Sequence, residues 1–304
     1  MSIIERALRR LKPAETEDTP AEAEILQQPR RAPATAPLQG PHTEEEANRG
    51  GVQPRRSATT IRNPFDKIDL DRLEKAGMIV PDGKRTQISE EFRTIKRLLL
   101  QNVKRREAAA PRSANLIVVT SSFPNEGKTF SSINLAMSMS LELDHSVLLV
   151  DADVAQARRD FLGLKPREGL MDLLLAPELS LEETVIRTNV ERLDVLLAGR
   201  SHHQANELLA SDGMSRLLQK LAAQGPDRIV IFDAPPLLVT TEAGTLAHRA
   251  GQVVMVVEAD KTTQTSLKSA LAQLEGCNVF GILNKSTGGL GQDVFDYGRY
   301  RYSE

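Results

Sequence analysis

The chain has 304 residues, a hydrophobic share of 40% and a formal net charge of −2. That is enough apolar material for a substantial core, and the near-neutral charge gives no electrostatic case for nucleic acid as a partner. A single cysteine, Cys277, excludes a disulfide framework and a cysteine-rich metal site, fits a reducing cytoplasm, and reads as a small packing residue.

The opening stretch MSIIERALRRLKP sets Ile3, Ile4, Ala7, Leu8 and Leu11 against Arg6, Arg9, Arg10 and Lys12, the pattern of a short amphipathic helix. It suits docking to a partner or to a membrane surface, and equally an exposed helix too short to hold alone. It lacks the apolar run and cleavage site of a signal peptide, and no stretch approaches the roughly 18 consecutive apolar residues of a membrane span, so a soluble, cytoplasmic chain is expected. Between Pro13 and Pro54 stand seven of the sixteen prolines, with almost no aliphatic periodicity. Residues 1–60 therefore read as an amphipathic start and a disordered tether that cannot repay its ordering entropy.

Residues 61–110 form the next segment. There SEEFRTIKRLLLQNVKRRE places Phe92, Ile95, Leu98, Leu99 and Val103 at helical spacing, with Ser89 as the expected N-cap, acids opening the helix and bases closing it. From residue 111 to 285, short β-branched runs alternate with helical patterns: NLIVVT, SVLLVD, LDVLLA, RIVIFD, QVVMVV and FGILN. Such runs predict parallel strands with crossover helices on both faces, a doubly wound α/β domain. After Asn284 the glycine-rich STGGLGQ reads as a flexible linker into a tail, residues 286–304, that holds all three tyrosines: Tyr297, Tyr300 and Tyr302.

Directly after the first predicted strand comes TSSFPNEGKTFSS, which puts Gly127, Lys128 and Thr129 at the start of a helical pattern. Backbone N–H groups at such a turn converge on phosphate oxygens, the lysine reaches the outer phosphates and the threonine hydroxyl ligates Mg²⁺. Asn125, Glu126, Gly127, Lys128, Thr129 and Phe130 are the nucleotide-binding candidates. Ser122 stands where the usual first glycine of G-x-x-x-x-G-K-[ST] would be, but the strand before and the helix after supply the required context. VLLVDAD ends a strand with Asp151 and Asp153, and IVIFDAPP ends another with Asp233. All three carboxylates thus emerge where doubly wound folds bind ligands, and beside a nucleotide such groups hold Mg²⁺ or accept a proton. A lone aspartate there would read as a helix cap; joined to the phosphate loop, the set reads as functional.

Together, SSFPNEGKT, VLLVDAD, IVIFDAPP, LLAGRSHHQANELLAS and the terminal tyrosines resemble the bacterial tyrosine kinases that control exopolysaccharide and capsule production. These are P-loop proteins unrelated in fold to eukaryotic protein kinases, and the resemblance runs from about Glu90 onward. The basic start, the tether and ISEEFRTIKRLLL further resemble the stand-alone autokinases of exosortase-type loci.

The resemblance implies a P-loop NTPase fold, ATP and Mg²⁺, and a role for each motif residue. Lys128 would stabilise the transferring phosphoryl group, Thr129 and Asp153 would hold Mg²⁺, Asp233 would support the metal through water, and Asp151 would be the base. Tyr297, Tyr300 and Tyr302 would be phosphate acceptors reached in a neighbouring subunit's site. Glu90, Arg93 and Lys96 match the family's E-x-x-R-x-x-R oligomer motif, with lysine in place of the last arginine; a solvated charged face is the other reading. A homo-oligomeric ring, a separate membrane-embedded polysaccharide co-polymerase as activator, a cognate tyrosine phosphatase and recruitment to the inner face of the cytoplasmic membrane are also implied.

The chain departs from the family at Ala155 and Gln156, where basic character is usual; Arg158 or Arg159 stands nearby to compensate. His202 and His203 read as a solvated loop rather than a metal site. One rival function is an ATPase switch of the partitioning and division-site type, whose loop carries an extra lysine where this chain has Phe123. A second is a non-catalytic, nucleotide-binding adaptor of the export machinery.

Overall fold

The structure, a computed structural model, describes residues 63–106, 114–154, 162–176 and 178–286. The amphipathic start, the tether, Ala155, Gln156, Arg158, Arg159 and the three tyrosines lie outside them.

Two helices come first. The short α1 (Leu70–Lys75) is capped by Asp69, whose side chain accepts from Arg72 N at 3.0 Å. The long α2 (Gln87–Arg106) begins two residues before the expected Ser89 cap. Thr86 takes that role: its Oγ1 accepts from Ser89 N at 3.2 Å while Ser89 Oγ accepts from Thr86 N at 3.0 Å. The reciprocal pair satisfies two amide donors at the helix start, which a cap at Ser89 alone would not.

The sheet elements then follow in alternation: β1 (Leu116–Ser121), α3 (Lys128–Ser140), β2 (Ser146–Asp151), α4 (Leu170–Leu175), α5 (Leu181–Thr184), β3 (Ile186–Arg187) and β4 (Leu193–Leu196). They continue through α6 (Ala205–Ala210), α7 (Asp212–Ala222), β5 (Arg228–Asp233), α8 (Glu242–Arg249), β6 (Gln252–Glu258), α9 (Gln264–Ala272) and β7 (Val279–Asn284). The seven strands lie in the order β3-β4-β2-β5-β1-β6-β7. Every pairing is parallel except β3 with β4. The six strands anticipated from the sequence are present, and the two-residue β3 is the addition. The sheet and its crossover helices form a doubly wound, mainly parallel α/β fold of the P-loop NTPase type.

Alternate residues of each strand feed two separate cores, as the pleat requires. Ile117, Val119, Val147, Leu149, Ile229 and Ile231 pack with Leu73 of α1, Phe92 and Leu99 of α2, and Leu135 and Met137 of α3. Leu116, Val118, Leu148, Val150, Val230 and Phe232 pack on the other face with Met214 and Leu218 of α7, Leu246 of α8 and Leu267 of α9. Each fully buried aliphatic contributes roughly 1.5–3 kcal/mol, so burial on both faces holds β1, β2 and β5 rigidly. The ends of these three strands carry the site.

Lys96 of α2 turns inward instead of joining an outer charged row. It is 8% exposed, and its Nζ donates to Ser138 O at 2.7 Å and pairs with Glu142 at 2.6 Å. A cation at the C-terminal end of α3 meets both its unpaired carbonyls and the negative end of the helix dipole. Glu90 and Arg93 stay at the surface, with Arg93 Nη1 on both Glu90 oxygens at 3.1 Å. On this stretch of α2, Arg93 thus holds Glu90 while Lys96 holds Glu142.

Candidate active site

The loop between β1 and α3 is built from two left-handed residues, Asn125 (φ 68°) and Gly127 (φ 100°). A side chain at Gly127 is excluded twice over: by the positive φ, and because a Cβ would overlap Nδ2 of Asn284 at the end of β7. That amide donates to Glu126 O at 2.9 Å. Glu126, 3% exposed, turns its carboxylate inward, where Oε2 accepts from Phe123 N at 3.0 Å and Oε1 accepts from the Thr262 hydroxyl. Lys285 Nζ donates to Asn125 O at 2.7 Å. The loop is thus braced against residues that lie more than a hundred positions later. Glu126 is a brace, and Phe130 packs its ring on the α1–α3 core, so these two would meet a nucleotide through their backbone.

Gly127 precedes the first turn of α3, whose first helical bond runs from Ser131 N to Gly127 O at 2.9 Å. The amides of Lys128, Thr129 and Phe130 stand ahead of it at the positive end of a 13-residue helix. Such a cradle fits phosphate oxygens.

Lys128, 4% exposed, joins the phosphate loop to the two acidic motifs. Its Nζ lies 2.5 Å from Asp153 Oδ2, 4.0 Å from Asp233 Oδ1 and 3.4 Å from Thr129 Oγ1. Asp233 Oδ1 also accepts from Ser132 Oγ at 3.2 Å. Asp151 stands directly opposite Asp233 in the β2–β5 register and accepts from Asp153 N at 3.2 Å. Burial, reinforced by the neighbouring charges of Asp233 and Asp153, pushes the Asp151 carboxyl up to about 7. Burial also raises Asp233, against the lowering effect of Lys128.

A divalent cation fits this donor set. Asp153 is 2% exposed, and its Oδ1 is buried without a hydrogen-bond partner. With the Thr129 hydroxyl and Asp233 it forms a group of hard oxygens of the kind Mg²⁺ takes beside phosphates. Among the described residues no cluster of three or more His, Cys, Asp or Glu stands ready to hold a metal by itself, so a cation here would share its shell with phosphate and water.

The structure brings Lys128, Thr129, Asp151, Asp153 and Asp233 together at the start of α3, with Asn125 and Gly127 shaping the loop, whereas the side chains of Glu126 and Phe130 turn away from it. Ser132, Thr262, Asn284 and Lys285 are site residues that sequence reasoning missed; only Asn284, closing the last apolar run, gave a signal. His202 and His203 are also nearer than expected, lining a cavity of about 160 Å³ together with Asp153, Ser201 and Asn206.

Fold and site together define a P-loop nucleotide-binding domain with three strand-end carboxylates. Residues 114–278 match the "AAA domain" family. The chain is 34% identical over 230 residues to the putative tyrosine-protein kinase EpsB of Ralstonia nicotianae, covering 73% of this chain and 29% of EpsB. It is 32% identical to the tyrosine-protein kinase YwqD of Bacillus subtilis, covering 62% of this chain and 76% of YwqD. The kinase domain of the Escherichia coli tyrosine kinase ETK shares the fold, with a TM-score of 0.54 and 22% identity over 71% of this chain and 95% of that domain. This chain belongs to the bacterial tyrosine-protein kinase family. It spans under a third of the length of EpsB.

Proposed function

We propose that the chain is an ATP-dependent protein-tyrosine autokinase that phosphorylates Tyr297, Tyr300 and Tyr302 between subunits, and so controls exopolysaccharide synthesis or export. The observation that carries this reading is the convergence of Lys128, Thr129, Asp153 and Asp233 on one phosphate cradle, with Asp151 beside them.

The family resemblance implies a role for each of these residues, and the geometry supports that reading. The amides of the α3 start hold the phosphates, and Lys128 moves its charge from Asp153 to the outer phosphoryl oxygens. Thr129 and Asp153, with Asp233 through water, would hold Mg²⁺, which when bound would supply neutralisation of charge on the outer phosphates. Asp153 and Asp233 are engaged in this way, which leaves Asp151 as the carboxylate to accept the tyrosine proton. An unperturbed tyrosine, with a pKa near 10, is protonated at neutral pH and needs such a base. The tyrosine oxygen bonds to the outer phosphorus as the bond to the nucleoside diphosphate breaks, and the proton passes to Asp151.

Among the described residues no helix is long and apolar enough to cross a membrane. A separate membrane-embedded co-polymerase would then recruit and activate the protein at the inner membrane face, a homo-oligomeric ring would present tails to neighbouring sites, and a cognate phosphatase would reset them. One relative is named for the same setting, the succinoglycan biosynthesis transport protein ExoP of Rhizobium meliloti.

Intact-mass spectrometry before and after Mg²⁺-ATP tests the reading, with Lys128→Met and the Tyr297→Phe, Tyr300→Phe, Tyr302→Phe triple variant alongside. Phosphate mapped to these tyrosines and absent from Lys128→Met is expected. An unmodified tail on a protein that binds ATP, even with the co-polymerase added, would overturn it.

A further inference from the structure

The amides of Glu126 and Gly127 extend the phosphate cradle backward from the start of α3, and among the described residues neither donates to a protein acceptor. Glu126 is 3% exposed, and a donor in so closed a place is short of a partner until a ligand arrives. What aims each amide is the carbonyl before it. In a trans peptide the C=O and the following N–H point in opposite directions. Asn125 O is drawn to one side by Lys285 Nζ at 2.7 Å, and Glu126 O by Asn284 Nδ2 at 2.9 Å. The two amides therefore turn away from the end of β7. The left-handed Asn125 just before them is the backbone pattern that gathers successive N–H groups into an anion-binding hollow.

Lys285 is itself held in place. Glu258 and Asn284 are register partners at the ends of β6 and β7, and the chain after Asn284 turns through a left-handed Lys285 (φ 58°) that brings Nζ to 3.2 Å from Glu258 Oε2. A residue other than glycine is strained in that region and stays there only where its surroundings over-determine it. Here they are a carboxylate on one side and the loop carbonyl on the other. Lys261 pairs with the same Glu258 oxygen at 3.3 Å but, among the described residues, reaches no carbonyl of the loop. We propose that Lys285, anchored by Glu258, is a positioning residue for nucleotide: its ammonium holds the Asn125 carbonyl outward and so keeps the Glu126 amide presented to a phosphate oxygen. The proposal rests on the phosphate-site reading and not on which hydroxyl accepts the phosphoryl group, and it adds what aims the loop.

Titration calorimetry of the full chain with ATP and with inorganic tripolyphosphate, both in Mg²⁺, tests the assignment. Tripolyphosphate has no base or ribose, so it reads the cradle alone. Lys285→Met should weaken both ligands by about ten-fold, the worth of one charge-assisted hydrogen bond. Lys285→Arg keeps a donor and a charge, and should restore affinity to within about three-fold of wild type. Lys261→Met removes the same charge from the same carboxylate, and should change tripolyphosphate affinity by less than about two-fold because an exposed charge is screened. An equal loss in Lys261→Met would reduce the effect to general charge, and a loss for ATP alone would assign Lys285 to the nucleoside; either result overturns the proposal. Thermal midpoints of the ligand-free proteins identify a misfolded variant. In that case Glu258→Gln, which keeps the shape and removes the anchoring charge, should still weaken tripolyphosphate by about three-fold, and unchanged binding there would overturn the proposal. A wild type that binds neither ligand would sink the phosphate-site reading together with it. A wild type that binds both, indifferent to Lys285, would sink the positioning role and leave that reading standing.

Discussion

The Lys128 ammonium lies 2.5 Å from Asp153 Oδ2, with the two side chains 4% and 3% exposed. A buried ion pair that loses one partner leaves an uncompensated charge, at a cost of roughly 3–5 kcal/mol. Lys128→Met should therefore lower the thermal unfolding midpoint as well as abolish ATP binding. Adding Asp153→Asn should recover most of the midpoint but none of the binding. A single variant as stable as wild type would show that the pair is not held as described.

Gly127 is the second point of leverage. Gly127→Ala places a side chain in the left-handed region, which costs roughly 1–3 kcal/mol, and drives it into the Asn284 amide. ATP affinity measured by calorimetry should fall by more than ten-fold. Asn284→Ala in the same chain should recover part of the lost stability by making room, though it cannot relieve the backbone strain.

Replacing the proposed base separates binding from chemistry. Asp151→Asn should leave nucleotide affinity near wild type and slow phosphotyrosine formation by roughly 10²–10⁴-fold, the usual contribution of a positioned base. Quench-flow with labelled ATP measures the rate. A rate within a few-fold of wild type would remove Asp151 from the reaction.

The α2–α3 contact predicts a pH dependence. Lys96, by hydrogen bond and charge, holds the Glu142 carboxyl below the ordinary glutamate value of 4.5. The folded value is depressed, so the native state binds fewer protons than the unfolded chain, and the contribution is present above that range and lost as pH falls through the folded value. Glu142 is 41% exposed, so the effect is discounted to about 1 kcal/mol or less. Urea unfolding of Glu142→Gln should trail wild type at neutral pH and converge with it in acid; a gap constant with pH would contradict the assignment.

Much of the fold was legible because both sheet faces are covered. β1, β2, β5 and β6 are buried on both sides and so appear as continuous β-branched runs that chance does not produce. β3 escaped because two residues carry no period, and its pairing with β4 depends on the chain turning back after α5. Lys96 escaped for another reason. Helical spacing places it in line with Glu90 and Arg93, but spacing does not say which neighbour stands nearby, and Glu142 with the carbonyl of Ser138 draws it inward.

The sequence by itself determined the phosphate loop, the strand-end carboxylates and the tyrosine-bearing tail, because each is a local pattern whose chemistry sits in a few adjacent residues. Only the tertiary structure decided how they combine. The β2–β5 register put Asp151 opposite Asp233, the return of β7 put Asn284 against Gly127, and the loop after β4 put His202 in the wall of the cavity at Asp153. The Asn284 amide that fills the space at Gly127 bonds Glu126 O, 158 positions away. These relations are set by the order in which strands pack, which no local spacing encodes.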